Sequence, residues 1–142
     1  MKNFFLDTNV LIDFFAGREP FALEAAHLFN SAYKKQIRVF ISAVSFNNMY
    51  YILRQSVSHP AALKMLSELS EWTITLDVTN EIIKKSIKSD FRDFEDAIQY
   101  FCAKSHDKMD VIVTRNAKDF KPSALPVLHP REALALVRSS EK

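Results

Sequence analysis

The sequence predicts an α/β fold in three layers, α/β/α, with a central parallel sheet of four to five strands. Short apolar runs alternate along the chain with longer segments whose apolar residues recur at helical spacing. Such alternation is typical of a parallel sheet that is covered by helices on both faces. The length of 142 residues, with no repeat, low-complexity tract or linker, predicts a single domain over residues 1–142.

Five short segments are predicted to form the sheet. Residues 4–6 and 111–113 are continuously apolar, as buried strands are. Residues 37–41 supply a second strand, and residues 72–76 alternate between apolar and polar side chains. Residues 127–128 are predicted to form a short edge strand.

The helices are predicted from residues that favour helix starts, followed by apolar residues at helical spacing. Asp7 or Thr8 begins the first helix, which stops near Gly17, and Pro20 suits the first turn of the second. Further helix starts are predicted at Ser42, Pro60, Thr79, Asp93 and Pro130. The apolar positions expected to face the core include Leu63, Leu66 and Leu69 after Pro60, and Phe94, Ala97, Ile98 and Phe101 after Asp93.

The composition excludes several classes of protein. Hydrophobic residues make up 48% of the chain, which is too many for a disordered protein. No apolar run approaches the roughly 18 residues of a membrane span, so no membrane association is expected. The single glycine, Gly17, excludes a phosphate-binding glycine-rich loop, and the single cysteine, Cys102, excludes an internal disulfide. With no signal peptide at the N-terminus and only one thiol, a cytoplasmic location is expected.

Acidic residues are predicted to meet at one edge of the sheet. Asp7 follows the first strand, Asp119 follows the strand at residues 111–113, and Asp96 opens the helix that precedes that strand. Ligands of open parallel sheets bind beyond the carboxyl ends of the strands. Converging carboxylates repel one another unless a cation neutralises them, and Mg²⁺ or Mn²⁺ prefers such oxygen ligands. The residues therefore favour a phosphodiesterase that uses a metal-activated water.

Three segments carry a resemblance to a known family. Residues 7–13 (DTNVLID), 93–99 (DFEDAIQ) and 113–120 (VTRNAKDF) resemble, in order and spacing, the three signature segments of PIN domains. These are small α/β/α nucleases that include the VapC toxins of toxin–antitoxin pairs. The resemblance spans almost the whole chain.

The resemblance implies specific roles for the residues that match. The metal-binding and catalytic acids fall on Asp7, Asp96 and Asp119, and supporting polar positions fall on Asn9, Thr114 and Asn116. The implied reaction is hydrolysis of single-stranded RNA, leaving 5′-phosphate and 3′-hydroxyl ends. The resemblance also implies a small antitoxin protein as a partner, and a homodimer.

One position departs from the family pattern. The family usually has a glutamate six residues beyond the serine that matches Ser42, and this chain has Asn48 there. An amide supplies an oxygen but no negative charge, so a second divalent ion should bind more weakly. Asn48 and Glu95 are therefore retained as supporting residues only.

Basic residues flank the acidic segments. Arg115 is predicted to contact the phosphate backbone of RNA, which the carboxylates would otherwise repel. A second basic cluster, Lys84, Lys85, Lys88 and Arg92, has the alternative interpretation of a solvated helix face.

Asp7 and Asp93 also have the alternative role of helix N-caps.

Two other functions fit parts of the sequence. A PIN-like module that binds RNA or a protein without cleaving it would explain Asn48. A phosphatase with an aspartyl nucleophile at Asp7 would normally need a second acid two residues later, where this chain has Asn9. The sequence therefore favours a metal-dependent endoribonuclease.

Overall fold

A computed structural model describes residues 1–140, so the last two residues of the predicted domain lie outside the described range. The strands are β1 (Lys2–Leu6), β2 (Ile37–Ser42), β3 (Ile74–Leu76), β4 (Val111–Val113) and β5 (Val127–Leu128). The helices are α1 (Thr8–Phe15), α2 (Ala22–Tyr33), α3 (Ala43–Leu53), α4 (His59–Trp72), α5 (Asn80–Ile87), α6 (Phe94–Lys104) and α7 (Pro130–Ser140). A 3₁₀ helix spans Ala117–Phe120 between β4 and β5.

The five strands form one parallel sheet in the order β3-β2-β1-β4-β5. Phe4 of β1 pairs with Val39 on one side and with Val111 on the other, so β1 lies at the centre. The predicted α/β fold with a parallel sheet is confirmed. The carboxyl ends of β1 and β4 are neighbours, which brings the segments after them to one edge.

Two cores fill the space between the sheet and its helices. Phe4 and Leu6 point to one face and Phe5 points to the other, because successive side chains of a strand alternate. The first face packs against α1, α2, α3, α4 and α7, and the second packs against α5 and α6. No helix within residues 1–140 has the length together with the hydropathy that a membrane span requires.

Two predicted boundaries were wrong. Helix α2 begins at Ala22 with no side-chain cap, so Pro20 lies before the helix rather than in its first turn. The strand predicted for residues 72–76 starts only at Ile74, because Trp72 is the last residue of α4. The Trp72 ring stacks against Phe15 at 5.9 Å, and this aromatic contact holds it at the end of the helix.

Two predicted inward positions were also wrong. Leu63 is 48% exposed and Phe94 is 49% exposed, while Leu69 and Ile98 on the same helices are buried. The fully buried residues of α4 are Ala62 and Leu69, and Leu63 lies outside the face of the helix that they define. On α6 the polar Gln99 is fully buried although Phe94 is not.

Candidate active site at the carboxyl edge of the sheet

Asp7 lies at the end of the central strand and caps the following helix. Its Oδ1 accepts a hydrogen bond from the Thr8 backbone N–H at 2.8 Å, and the residue is only 5% exposed. Burial raises the pKa of the Asp7 carboxyl, hydrogen bonds from Thr114 and Thr8 lower it, and the charges of Asp93 and Asp119 raise it further. The hydrogen bonds from Thr114 and Thr8 are thus the contacts that stabilise the charged form of this buried carboxyl.

Thr114 connects the segment after β4 to Asp7. Its hydroxyl donates to the Asp7 Oδ2 at 2.8 Å. The same hydroxyl oxygen accepts hydrogen bonds from the Asn9 side chain at 3.2 Å and from the Asn116 backbone N–H at 3.1 Å. The predicted supporting residues Asn9, Thr114 and Asn116 therefore form one chain of hydrogen bonds that fixes the orientation of the Asp7 carboxylate.

Asp96 lies in the first turn of α6, beside the cap of that helix. The Asp93 carboxylate accepts from the Asp96 backbone N–H at 3.0 Å, so Asp93 is the N-cap, as one of its two interpretations predicted. Loss of water contact raises the pKa of Asp96 to about 7, and the charges of Asp7, Asp93, Asp119 and Glu95 add to the rise. The pKa of Glu95 is also raised, by partial desolvation first and then by Asp7 and Asp93.

Asp96 and Asp119 line a pocket of about 630 Å³ at this edge. Asp119 is exposed on the 3₁₀ helix, and its charge reaches both Asp7 and Asp96. The remaining lining residues are Asp90, Arg92, Asp93, Lys118, Lys121 and Pro122. The structure thus brings the three predicted acids into one electrostatic cluster: Asp96 and Asp119 line the pocket, and the charge of Asp7, which does not line it, acts on Asp96.

Within residues 1–140 the acids of this cluster form no ion pair. The ion pairs there join Lys85 to Glu81, Arg115 to Asp13 and Arg131 to Glu24. Oxygen ligands with uncompensated negative charge suit a divalent ion such as Mg²⁺ or Mn²⁺. No three acidic, histidine or cysteine side chains within residues 1–140 are gathered closely enough to hold a metal ion, so sharing one would require the carboxylates to draw together.

Asn48 lies on α3, which begins at the end of β2. Its side-chain Nδ2 is buried and has no hydrogen-bond partner. A buried donor without a partner carries a free-energy cost, which an acceptor brought to that point would remove. Whether Asn48 supports the site stays a prediction.

Arg115 follows Thr114 but its side chain turns away from the acids. The guanidinium pairs with the Asp13 carboxylate on α1 and lies 4.0 Å above the centroid of the Phe21 ring. Asp13 is therefore an ion-pair partner and not solvated helix surface. The contact predicted between Arg115 and RNA stays a prediction, and it would have to compete with this ion pair.

The sequence of residues 3–118 matches the family model described as PIN domain. The chain belongs to the PIN domain family. No curated protein matches the sequence. The resemblance inferred from the three short segments is thereby confirmed.

Three solved structures illustrate the similarity of the fold. VapBC2 from Rickettsia felis, bound to a promoter DNA fragment, is 17% identical with a TM-score of 0.61, over 89% of this chain and 97% of that chain. Mycobacterium tuberculosis VapC20, a toxin that cleaves the sarcin-ricin loop, is 19% identical with a TM-score of 0.60, over 77% and 86%. A toxin–antitoxin complex from Klebsiella pneumoniae is 23% identical with a TM-score of 0.60, over 89% and 96%. At these identities the similarity establishes the fold.

Sequence reasoning missed one group of residues in this PIN domain. Thr8, which directly follows Asp7, is buried and hydrogen-bonded to Ser45 and Gln99, which are also buried and bonded to each other. Gln99, a polar residue among the apolar positions of α6, was the feature of the sequence that could have revealed this group, because a buried amide requires hydrogen-bond partners.

Proposed function

We propose that this PIN domain is a Mg²⁺- or Mn²⁺-dependent endoribonuclease that hydrolyses single-stranded RNA. The observation that carries the proposal is that Asp96 and Asp119 line one pocket, where desolvation and then the charges of Asp7 and Asp119 raise the pKa of Asp96. Repulsion of this kind destabilises the metal-free protein and favours binding of a divalent ion. The family membership and the chemistry of the ligands support the same conclusion.

Each acid would have a distinct part in holding the ion. Asp7 is oriented by Thr114 and by the Thr8 backbone N–H, so its carboxylate is fixed before the ion arrives. Asp96 and Asp119, in the pocket wall, would complete the ligand set from the open side. A bound Mg²⁺ or Mn²⁺ supplies a water of lowered pKa and neutralises phosphate charge.

Positive charge beside the acids supports a phosphate-containing substrate. Arg92, Lys118 and Lys121 line the pocket and form no ion pair within residues 1–140. Free cations at the rim would attract the phosphate backbone and orient it over the acids. Single-stranded RNA is proposed because the PIN resemblance implies it.

We also propose that the protein acts as the toxin of a toxin–antitoxin pair. The support comes from similar structures described as VapBC or toxin–antitoxin complexes. A small antitoxin protein is therefore the proposed partner, and a homodimer is the proposed assembly. A cytoplasmic location would follow from an RNA target.

The test is cleavage of an unstructured RNA in the presence of Mn²⁺. The wild type should cleave, and Asp96→Asn should lose at least a hundredfold in rate. Asp107→Asn is the matched control, because it makes the same acid-to-amide change at an exposed residue before β4, at the opposite edge of the sheet. Equal rates for the wild type and Asp96→Asn would contradict the proposal.

A PIN module that binds without cleaving is the second candidate. Asn48, where the family usually has a glutamate, favours it, as does the spacing of the carboxylates. Calorimetric titration with Mn²⁺ separates the two functions. A dissociation constant below 1 mM supports the nuclease, and the absence of any site that tight supports the binding module.

A further inference from the structure

A buried polar cluster joins the three helices that carry the candidate site. The Gln99 amide nitrogen on α6 donates to the Thr8 hydroxyl at 3.0 Å and to the Ser45 hydroxyl at 3.2 Å. The two hydroxyls, from α1 and α3, are themselves hydrogen-bonded at 2.8 Å. Gln99 and Ser45 are fully buried and Thr8 is 5% exposed, so water does not share these bonds.

Each member of the cluster lies within one helical turn of a candidate site residue along the chain. Thr8 directly follows Asp7, Gln99 lies three residues after Asp96, and Ser45 lies three residues before Asn48. Residues three apart on a helix are neighbours on its surface. The bonds of Gln99 therefore connect the backbone that carries Asp7 to the backbone that carries Asp96.

The cluster is not arranged for the greatest stability. The Gln99 Oε1 is buried and has no hydrogen-bond partner, and an unsatisfied buried carbonyl is destabilising. An apolar side chain of similar length would remove that cost, and the Thr8 and Ser45 hydroxyls would keep their bond to each other. The contribution of the amide is thus the fixed geometry that it imposes between helices.

We propose that Gln99 is a positioning residue, which sets the separation between Asp7 and Asp96 through its two bonds to Thr8 and Ser45. The inference rests on the proposed function, because the separation matters only if the two acids share a divalent ion. Groups that orient metal ligands from behind usually change metal affinity by 10- to 100-fold when they are removed. A similar loss is expected here.

The experiment measures Mn²⁺ affinity by calorimetry together with the Tm of the metal-free protein. Gln99→Met should weaken Mn²⁺ binding at least tenfold while the Tm stays equal or rises. Thr8→Val, which removes one hydroxyl and keeps the shape, should weaken binding in the same direction, and Thr8→Ser should restore most of it. Leu69→Ala, at a fully buried position of α4, which carries no member of the cluster, is the control that lowers the Tm without weakening Mn²⁺ binding.

The outcomes separate this inference from the proposed function. If the wild type binds no Mn²⁺ below 1 mM, the proposed function fails, and the positioning role fails with it. If the wild type binds and both Gln99→Met and Thr8→Val bind within twofold of it, only the positioning role is overturned. The positioning role is also overturned if Leu69→Ala weakens Mn²⁺ binding as much as the cluster variants do for the same decrease in Tm. Should Gln99→Met not fold, Thr8→Val against Thr8→Ser decides the question.

Discussion

Arg115 holds Asp13 in a bidentate ion pair that joins the segment after β4 to helix α1. The Arg115 Nε donates to Asp13 Oδ2 at 2.5 Å, and Nη2 donates to Oδ1 at 3.2 Å. Asp13 is 1% exposed, so its charge depends on this one cation. Because Thr114 is the neighbour of Arg115, the pair also anchors the segment whose hydroxyl bonds to Asp7.

Removal of Arg115 should destabilise the protein strongly. Arg115→Met leaves the Asp13 carboxylate buried and unpaired, which should lower the free energy of unfolding by about 3 kcal/mol. The double variant Asp13→Leu/Arg115→Met should recover more than half of that loss, because no buried charge remains. Urea unfolding of the two single variants and the double variant measures the coupling. A loss below about 1 kcal/mol for Arg115→Met would contradict a structural role for the pair.

The stability of the metal-free protein should depend on pH through Asp96. Its pKa of about 7 in the folded state lies above the value near 4 expected in the unfolded chain. The folded protein therefore binds this proton more tightly, and the charged carboxylate destabilises it increasingly as the pH rises from about 4 to above 7. Solvent screens the half-buried group, so the full effect should be roughly 1 kcal/mol.

Thermal unfolding in a chelator at pH 4 to 8 tests this dependence. Asp96→Asn and the wild type should have similar Tm values at pH 4, and the variant should be higher by about 2–4 °C at pH 8. Asp107→Asn, the same acid-to-amide change at an exposed residue, is measured alongside as the control variant. If the difference in Tm between Asp96→Asn and the wild type is the same at pH 4 and at pH 8, the raised pKa of Asp96 is refuted.

A carboxylate at position 48 should strengthen metal binding. Asn48→Glu supplies the acid that the PIN family usually has at this position, so, if Asn48 supports the site, the dissociation constant for Mn²⁺ should fall about tenfold. The matched control is Asn47→Glu, the same substitution at the neighbouring exposed residue, which points elsewhere on α3. Calorimetry measures both variants. Equal changes in affinity would show that only the overall charge matters and not the position of Asn48.

The leucines of α4 should differ sharply in their contribution to stability. Leu69→Ala removes a fully buried side chain and should cost about 3 kcal/mol, whereas Leu63→Ala should cost less than about 0.5 kcal/mol. Urea unfolding compares the two variants under the same conditions. A large loss for Leu63→Ala would mean that a partner molecule covers this face in solution.

Much of the fold was predictable because it is encoded locally. Asp7, Ser42, Thr79 and Asp93 each cap a helix with a side-chain hydrogen bond, as short sequence patterns predicted. The apolar runs that form β1 and β4 were identified because both faces of a central parallel strand are buried. The errors at Trp72 and Phe94 arose where an apolar side chain satisfied a local pattern but tertiary contacts decided its environment.

The sequence by itself determined the α/β class, the helix caps, the family and the acids that follow the strands. Only the tertiary structure decided that Arg115 pairs with Asp13, that Gln99 connects three helices, and that Asp96 and Asp119 line one pocket. The physical reason is sequence separation. Capping and periodicity act between residues a few positions apart, whereas partners 54 to 102 positions apart are chosen by how the helices pack on the sheet.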